Sequence, residues 1–403
     1  MAFQKVSWVY WISFLVVFTN SFLSSFGYIC DVPQEWFQDI NGTKAHNSNN
    51  SLWINGIVKY RFHPSLSKED RVEVWKAFEE YHSKTCIRFQ PWRKGDPDYT
   101  EIMVDSEVCG RAEICRKGGY QFTKFGNDCR SMAVMIHELG HTLCLYHEQQ
   151  RPDRDDFLDF GNCDEDEIFP IAQFSDELSS AIYDYGSQMH YQCKTCLGGW
   201  PSTSGVTKCG IDITPGLSVI DADNINRLYN CQGCYRHRWR PIENLTPDDV
   251  NNMYNFGYKS SYGYIYPCRG LVNGEISVGK YSVRSKVCTV SHQGLEYELE
   301  RGAEVLTIPG GRNQHGATYR LINQRHVKFP ENVIEAAVFA GRKSEDEGAG
   351  PTFIAFATLK TGLLGTEDSI GMVGLQKGQF QNAIVTINKK VVTVENYLIL
   401  VCS

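Results

Sequence analysis

Three histidines and a glutamate lie close together in the run HELGHTLCLYHEQQRPDRDD, and their spacing constrains the chain more than any other feature. His137 and His141 are four residues apart, so a helix places both imidazoles on one face, within reach of one metal ion. His147, six residues further on, falls off that face and reaches the metal only if the helix ends and the chain turns back. Glu138 can reach a metal-bound water without being a ligand. The pattern predicts a catalytic zinc site rather than an ordinary helix with solvated histidines.

The residues beyond the third histidine resemble a known family. Residues 147–155 are similar to the extended zinc signature of the astacin metalloendopeptidases, and residues 187–191 are similar to its Met-turn, S-x-M-H-Y. Further matching segments lie at 52–60, 85–89, 118–121 and 223–231, in the same order along the chain as in the family. The resemblance covers about residues 45–231. It implies an α+β, metzincin-type zinc protease domain in which a mixed sheet accompanies a zinc-site helix.

The resemblance also implies roles for single residues. One zinc ion per chain would be held by His137, His141 and His147. Glu138 would act as general base and then as general acid, and Tyr191 would be a fifth ligand that leaves the metal to hydrogen-bond the oxyanion. Met189 would form a hydrophobic floor under the histidines. Glu148 would anchor the N-terminal ammonium created when a propeptide is removed, against the plainer interpretation of a surface acid.

The N-terminal residues predict secretion. Lys5 precedes the apolar run 6–18, and small polar residues follow, which is typical of a secretory signal peptide at 1–27. A retained signal anchor is the alternative, because the run is close to the shortest membrane span. By resemblance, residues 28–44 are a short propeptide in which Asp39 is the candidate zinc-blocking ligand, against a plain loop acid. Sequons that fit a secreted glycoprotein occur at Asn41, Asn49 and Asn244.

Charge and cysteine content agree with an extracellular zymogen. A net charge of −7 disfavours nucleic acid or an anionic membrane surface as partner. Fifteen cysteines are expected to be mostly paired in an oxidising compartment. The expected partners are extracellular protein or peptide substrates, with no membrane span once the signal peptide is removed.

Twelve of the fifteen cysteines fall into three groups. The resemblance implies the disulfides Cys86–Cys231 and Cys109–Cys129. Cys115 and Cys144 each replace a glycine of the family, which leads to the hypothesis that they bond to each other; a free, buried Cys144 is the alternative. The pairing of the third group stays open: Cys163, Cys193, Cys196, Cys209, Cys234 and Cys402. A second zinc at Cys193-x-x-Cys196 is less favoured than disulfides in a secreted chain.

The composition changes after the protease-like segment. We expect a catalytic domain at 45–233, a linker at 234–249 and an all-β domain at 250–403. Two strand-like stretches in the last segment are alike at an offset of about 94 residues, which indicates a duplication. Short pieces at 266–270, 279–280 and 340–342 resemble the DM-nine repeats of invertebrate lectin-like proteins, some of which bind mannose, so the two copies would be degenerate repeats of this kind. The alternative is a β-sandwich that serves as a spacer.

The spacing of apolar residues predicts which helices and strands carry these motifs. Helical spacing predicts a helix over 66–83, starting at Ser67, and a zinc-site helix over 130–146. Alternation predicts a strand at 120–125, which the resemblance makes the sheet edge that pairs with substrate. The whole predicts a secreted zinc endopeptidase whose C-terminal domain binds carbohydrate. The alternative is a secreted lectin or adhesion protein with a silent protease fold, and the presence of Glu138 argues against it.

Overall fold

The computed structural model describes residues 51–403 apart from 127–128, 162, 204, 213–215, 262, 315–316, 324–335, 344–349, 362–364 and 377–378. The expected signal peptide and propeptide, with Asp39 and the sequons at Asn41 and Asn49, lie outside the described residues. Asn244 is described and exposed. Across the described ranges, no helix is both long enough and apolar enough to cross a membrane.

The first half of the chain builds a mixed sheet with helices packed on it. Its elements are β1 (Ile57–Phe62), α1 (Lys68–Lys84), β2 (Arg88–Pro91), β3 (Tyr99–Val104), β4 (Gly110–Ala112), β5 (Tyr120–Phe125), α2 (Met132–Thr142), β6 (Leu158–Asp159), α3 (Asp176–Ser179), β7 (Trp200–Pro201) and α4 (Val219–Leu228). The five-stranded sheet has the order β2-β1-β3-β5-β4. Its pairs are parallel except for β4 with β5, which is antiparallel. The α+β fold class and the mixed sheet are confirmed.

Helix α1 begins where the sequence predicts and supports the zinc-site helix. The Ser67 side chain accepts from the Asp70 N–H while the Asp70 carboxylate accepts from the Ser67 N–H, a reciprocal cap that satisfies two free donors. The apolar face of α1 buries Phe78 and Tyr81 completely. The Tyr81 hydroxyl donates to the Ile136 carbonyl at 2.7 Å, so α1 and α2 are joined within the core.

Strand β4 forms one edge of this sheet and β2 the other, which corrects the expectation that residues 120–125 form an edge. Strand β5 lies between β3 and β4, and Gly110 and Ala112 pair with Phe125 and Thr123. The preceding residue, Cys109, is bonded to Cys129, so β4 is tied beside the start of α2. Strand β4 packs against the zinc-site helix α2.

Helix α2 ends at Thr142, four residues before the expected end at 146. Cys144 has a φ of 76°, in the left-handed region that commonly ends a helix. The N–H groups of Cys144 and Leu145 turn back to the carbonyls of His141 and Gly140, both at 2.9 Å. The chain therefore reverses directly after the second histidine and carries the third towards the other two.

Where the structure describes it, the second half of the chain consists mainly of β-strands, with the short helix α5 near its start. Its elements are β8 (Arg238–Pro241), α5 (Pro247–Asn252), β9 (Lys259–Ser260), β10 (Gly263–Val272), β11 (Glu275–Ser282), β12 (Val287–His292), β13 (Leu295–Leu299), β14 (Ala303–Thr307), β15 (Asn313–Gln314), β16 (Ala317–Asn323), β17 (Phe339–Lys343), β18 (Gly350–Thr361), β19 (Gly365–Gln376), β20 (Gln379–Phe380), β21 (Ala383–Ile387), β22 (Lys390–Val394) and β23 (Leu398–Cys402). The expected linker 234–249 contains β8, which pairs with β14 and buries the Trp239 side chain in the β core. We refer to residues 238–403 as the β region.

The β region contains two copies of one strand pattern. In the first copy β11 pairs with β10 and β12, and β10 pairs with β14; in the second copy β19 pairs with β18 and β21, and β18 pairs with β23. Gly279 and Gly371 occupy equivalent positions in this register. A Cβ there would lie 1.9 Å from the Thr289 carbonyl oxygen and 2.0 Å from that of Ile384, respectively. Each copy therefore needs glycine where its neighbouring strand passes.

Seven disulfides join the described cysteines: Cys86–Cys231, Cys109–Cys129, Cys115–Cys144, Cys163–Cys196, Cys193–Cys209, Cys234–Cys402 and Cys268–Cys288. The two pairs that the resemblance implies are present, and so is the hypothesised pair of Cys115 and Cys144. Because Cys193 and Cys196 each bond to another cysteine, they do not form a second zinc site. Cys234–Cys402 links the end of the first half to the last strand.

Candidate active site

The end of α2 and the turn after it bring three imidazoles together. The Nε2 atom of His137 lies 3.2 Å from that of both His141 and His147, and the last two are 3.1 Å apart. His137 and His141 come from one face of α2, and His147 arrives through the reversal at Cys144. All three side chains are buried. The sequence-predicted ligand set therefore converges on one point.

The outer nitrogens of these rings face hydrogen-bond acceptors. His137 Nδ1 lies 2.6 Å from the Gln188 carbonyl oxygen, His141 Nδ1 lies 2.8 Å from that of Leu145, and His147 Nδ1 lies 2.9 Å from Gln150 Oε1. A carbonyl oxygen can only accept a hydrogen bond, so Nδ1 of His137 and of His141 carries the proton. We assign the Gln150 amide with its oxygen towards His147, so Nδ1 of His147 carries the proton as well. Each Nε2 then presents a lone pair towards the centre of the triad.

Burial keeps the three imidazoles neutral. Desolvation lowers the pKa of His137 to about 4 and that of His141 to about 3. The pKa of His147 is lowered well below its usual value, by burial and then by its two histidine neighbours. A neutral imidazole is the form that binds a metal ion.

These residues fit zinc. Three lone pairs only 3.1–3.2 Å apart repel each other unless a cation lies between them. Tetrahedral zinc with Zn–N bonds of about 2.0–2.1 Å separates its ligand nitrogens by about 3.4 Å, close to the observed triangle. The acceptors at Nδ1 are the outer contacts that orient metal-binding histidines. His137, His141 and His147 form a zinc-binding triad.

Glu138 lies beside this triad with its carboxylate buried. Neither carboxylate oxygen has a hydrogen-bond partner among the described residues, and burial raises the pKa of this carboxyl well above its usual value. Strand β4 passes so close that a Cβ on Gly110 would stand 2.1 Å from Glu138 Oε1. Both oxygens are thus available to a small polar molecule, since no protein donor occupies them.

Tyr191 and Met189 approach the triad from the turn at 187–191. The Tyr191 ring is buried, with its centroid 4.7 Å from that of His147 and 6.2 Å from that of His137. Phe169 contacts the same ring edge-on at 5.1 Å. The Met189 sulfur lies under α2, where a Cβ on Gly140 would come within 2.5 Å of it. The glycine in HELGH thus makes room for Met189.

Glu148 is buried next to the third histidine. Arg151 Nη1 donates to Glu148 Oε1 at 3.1 Å, and the Asp184 N–H donates to the same oxygen at 2.9 Å. Burial nevertheless raises the pKa of this carboxyl to about 8. The structure does not support the interpretation of Glu148 as a surface acid. Asp39, the expected zinc-blocking ligand, lies outside the described residues.

Sequence reasoning missed the residues that hold the zinc ligands. Gln150 lies inside the zinc signature and uses its side chain, so the sequence could have indicated it. The Leu145 and Gln188 carbonyls are backbone groups that every residue has, so no sequence pattern marks them. Asp221 in α4 accepts from Ser187 Oγ at 2.6 Å and from the Gln188 N–H at 2.8 Å, which fixes the turn under His137. The one available signal for Asp221 is the S-x-x-D cap at the start of α4.

Comparisons with known proteins match both halves of the chain. Residues 45–230 match the astacin peptidase family, and residues 259–378 match the DM9 repeat. Zinc metalloproteinase nas-7 of Caenorhabditis elegans is 33% identical over 214 residues, which are 50% of this chain and 55% of that protein. Embryonic protein UVS.2 of Xenopus laevis is 32% identical over 232 residues, 55% of this chain and 43% of that protein. The chain spans about half the length of these curated relatives.

A similar solved structure is that of high choriolytic enzyme 1, a hatching enzyme zinc-protease from Oryzias latipes. It has a TM-score of 0.39 and 28% sequence identity, and the match covers 46% of this chain and 97% of that one.

Proposed function

Residues 45–230 of this chain are a domain of the astacin peptidase family, and from that premise we propose that the protein is a secreted zinc-dependent endopeptidase. The observation that carries the proposal is the convergence of three neutral histidines beside one buried, unpartnered glutamate. Three protein ligands on one side leave the other side of a metal open, as in catalytic rather than structural zinc sites.

Glu138 is the general base and acid of the proposed reaction. Zinc at the triad would supply Lewis acidity, which activates water and a carbonyl group near neutral pH. Burial favours protonation of Glu138, and a cation beside it lowers its pKa again, so the carboxylate can take a proton and later release it. Glu138 would accept the proton of the attacking water and deliver it to the leaving amine.

Tyr191 is the proposed oxyanion donor. Its ring is packed between His147 and Phe169, and this packing limits the positions open to its hydroxyl. A hydroxyl preorganised near the reacting carbonyl stabilises the negative charge that develops there. Met189 has no ligand role, because its sulfur packs under the helix at Gly140.

Strand β4 is the proposed substrate-binding edge. Its inner side pairs with β5, and it is the last strand of the sheet order among the described strands. An extended peptide can add to such an edge through main-chain hydrogen bonds. Because Gly110 of β4 contacts Glu138, a peptide on this edge would pass directly by the base.

Glu148 is proposed to receive the ammonium group of the mature N-terminus, starting near Ala45. The carboxylate is buried with one neighbouring guanidinium, and burial disfavours its charge. A second cation would stabilise the ionised form, so removal of a propeptide at 28–44 would order this region. Asp39 is the proposed zinc-blocking residue of the zymogen.

Secretion is supported by the disulfides. Seven bonds distributed over both halves of the chain fit an oxidising compartment, because cytosolic proteins keep their thiols reduced. N-linked glycosylation at Asn244 is proposed on the same ground, and its exposure permits it.

Carbohydrate binding by the β region is a second proposal. It is supported by the DM9 match and by the two in-register copies of one strand pattern. Retention of the whole protein on mannan-agarose, with elution by free mannose, tests it. Passage through the column without retention contradicts mannose binding.

Casein digestion tests the peptidase proposal. The wild-type protein should cleave casein, lose the activity with a zinc chelator and regain it when zinc is added back. Zinc-loaded, folded protein that leaves casein and a mixed peptide library intact contradicts the proposal. That result would favour the alternative of a lectin or adhesion protein with a silent protease fold.

A further inference from the structure

The turn at 187–191 fixes the orientation of the first zinc ligand. The Gln188 carbonyl accepts from His137 Nδ1, and the Gln188 N–H donates to Asp221 Oδ2 of α4. The Ser187 hydroxyl donates to the other oxygen of Asp221 at 2.6 Å. The position of His137 therefore depends on whatever holds this turn and α4 in place.

The β region holds α4 through buried ion pairs. Arg269 of β10 donates from Nη1 to Asp223 of α4 at 2.6 Å and from Nε to Glu304 of β14 at 2.8 Å. The Arg269 guanidinium carbon lies 4.2 Å from the centre of the Trp239 ring, and the residue has no exposed surface. Charge-assisted hydrogen bonds of this kind stabilise the contact and also restrict its geometry. Helix α4 is thus anchored to the β region.

A second residue of the β region contacts the turn itself. A Cβ on Gly186, directly before Ser187, would stand 2.8 Å from both Cζ and Nε of Arg342 in β17. Arg342 Nη2 donates to the Gly274 carbonyl at 3.2 Å, which holds the guanidinium in this position. Both Gly186 and Arg342 are buried. The planar guanidinium of Arg342 therefore packs directly against the backbone of Gly186. This backbone leads to Gln188, whose carbonyl accepts from the zinc ligand His137.

We propose that Arg342 is a positioning residue of the zinc site and that the β region completes the active site. It acts through the Gly186 backbone on Gln188, and through Gln188 on His137. Groups hydrogen-bonded to a metal ligand typically change metal affinity or activity by about 10- to 100-fold when replaced, and Arg342, which acts through the backbone, is expected at the lower end of this range. The catalytic consequence rests on the proposed peptidase function, but the effect on zinc affinity does not.

Two replacements of Arg342 and one control separate positioning from general stability. Arg342→Leu removes the planar guanidinium and its hydrogen bond to the Gly274 carbonyl, whereas Arg342→Lys keeps a positive charge and a hydrogen-bond donor. Arg320→Leu removes an exposed arginine on β16 of the same region. For the full-length, folded proteins, we would measure the zinc dissociation constant with a competing chelator, and kcat and KM on one peptide.

The leucine variant should bind zinc about tenfold more weakly and show a lower kcat with an unchanged KM. The lysine variant should lie between it and wild type, and Arg320→Leu should match wild type. A lower melting temperature with unchanged zinc affinity and kcat overturns the proposal, because it shows a merely structural role. A change in KM alone also overturns it, because it indicates contact with substrate.

A third variant covers the case in which Arg342→Leu does not fold. Gly186→Ala adds a methyl group against the guanidinium and should weaken zinc binding in the same way; unchanged affinity in folded Gly186→Ala contradicts the proposal. If the wild type binds zinc but cleaves no peptide, the peptidase proposal fails. The zinc-affinity comparison still decides the role of Arg342 in that case.

Discussion

Glu138 lies against the backbone of Gly110, so closely that a Cβ on Gly110 would be 2.8 Å from the carboxyl carbon Cδ and 3.0 Å from Cγ. The edge strand and the proposed base are therefore in direct contact, and glycine is the one residue that permits it. The contact joins the site where a peptide would bind to the group that would transfer its proton.

Gly110→Ala should lower turnover by about 10- to 100-fold, because the added methyl displaces the Glu138 carboxylate from its productive position. Zinc content should not change, since the three histidines are on other segments. Peptide hydrolysis together with zinc analysis checks this. Ala112→Gly, on the same strand, is the control and should stay close to wild type; unchanged turnover in Gly110→Ala contradicts the role of this contact.

Tyr191→Phe should lower kcat by roughly ten- to a thousandfold, because the hydroxyl that would stabilise the oxyanion is lost. The ring keeps its packing against His147 and Phe169, so the fold should be unaffected. Steady-state kinetics and metal analysis of the same sample decide this. Loss of zinc from the variant would show that Tyr191 is a structural ligand instead.

The bond between Cys115 and Cys144 should be needed for stability rather than for chemistry. Replacing Cys144 alone with serine should expose one reactive thiol and lower the free energy of unfolding by about 2–4 kcal/mol. Both cysteines have positive φ, 67° and 76°, so the double change to glycine should relieve the backbone and recover most activity. Thermal unfolding and thiol titration test this. Peptide mapping that finds Cys144 free, or joined to another partner, contradicts it.

The mature chain should begin near Ala45, after cleavage at Lys44 in a polar segment that a trypsin-like enzyme can reach. The new ammonium group should then interact with Glu148, and Glu148→Gln should retain zinc but lose part of the activity gained on processing. N-terminal sequencing of active, secreted protein decides where processing occurs. An active form that still carries Asp39 would refute a blocking role for that residue.

The sequence predicted the parts of the site that depend on side-chain identity. The three histidines and Glu138 lie together because one motif fixes their spacing, whereas Met189 and Tyr191 belong to a second motif that only the resemblance placed beside the first. The glycine-to-cysteine changes at 115 and 144 indicated the bond that the structure contains. The helical pattern predicts an end of α2 that is four residues too late, because a cysteine gives no sign of the positive φ that Cys144 adopts in the turn.

The sequence did not predict the contacts that depend on backbone position. Strand β4 has three residues, too few to show alternation, so the sequence pattern predicts no strand there and the resemblance alone places the edge at residues 120–125. Strand β8 has only four residues, two of them arginines and one a proline, and Trp239 is its one apolar side chain in the core, so its sequence resembles a linker. The contact of Arg342 with Gly186 joins positions far apart in the chain, and no local pattern reports such a pair.

The peptidase activity of Glu138→Ala, measured on protein whose zinc content is known, tests the proposed mechanism most directly. The variant should fold, bind one zinc per chain and lose casein hydrolysis by several orders of magnitude, because the ligands remain while the base is absent. Wild type prepared in parallel should be active and chelator-sensitive. Substantial casein cleavage by zinc-loaded Glu138→Ala would contradict the central claim.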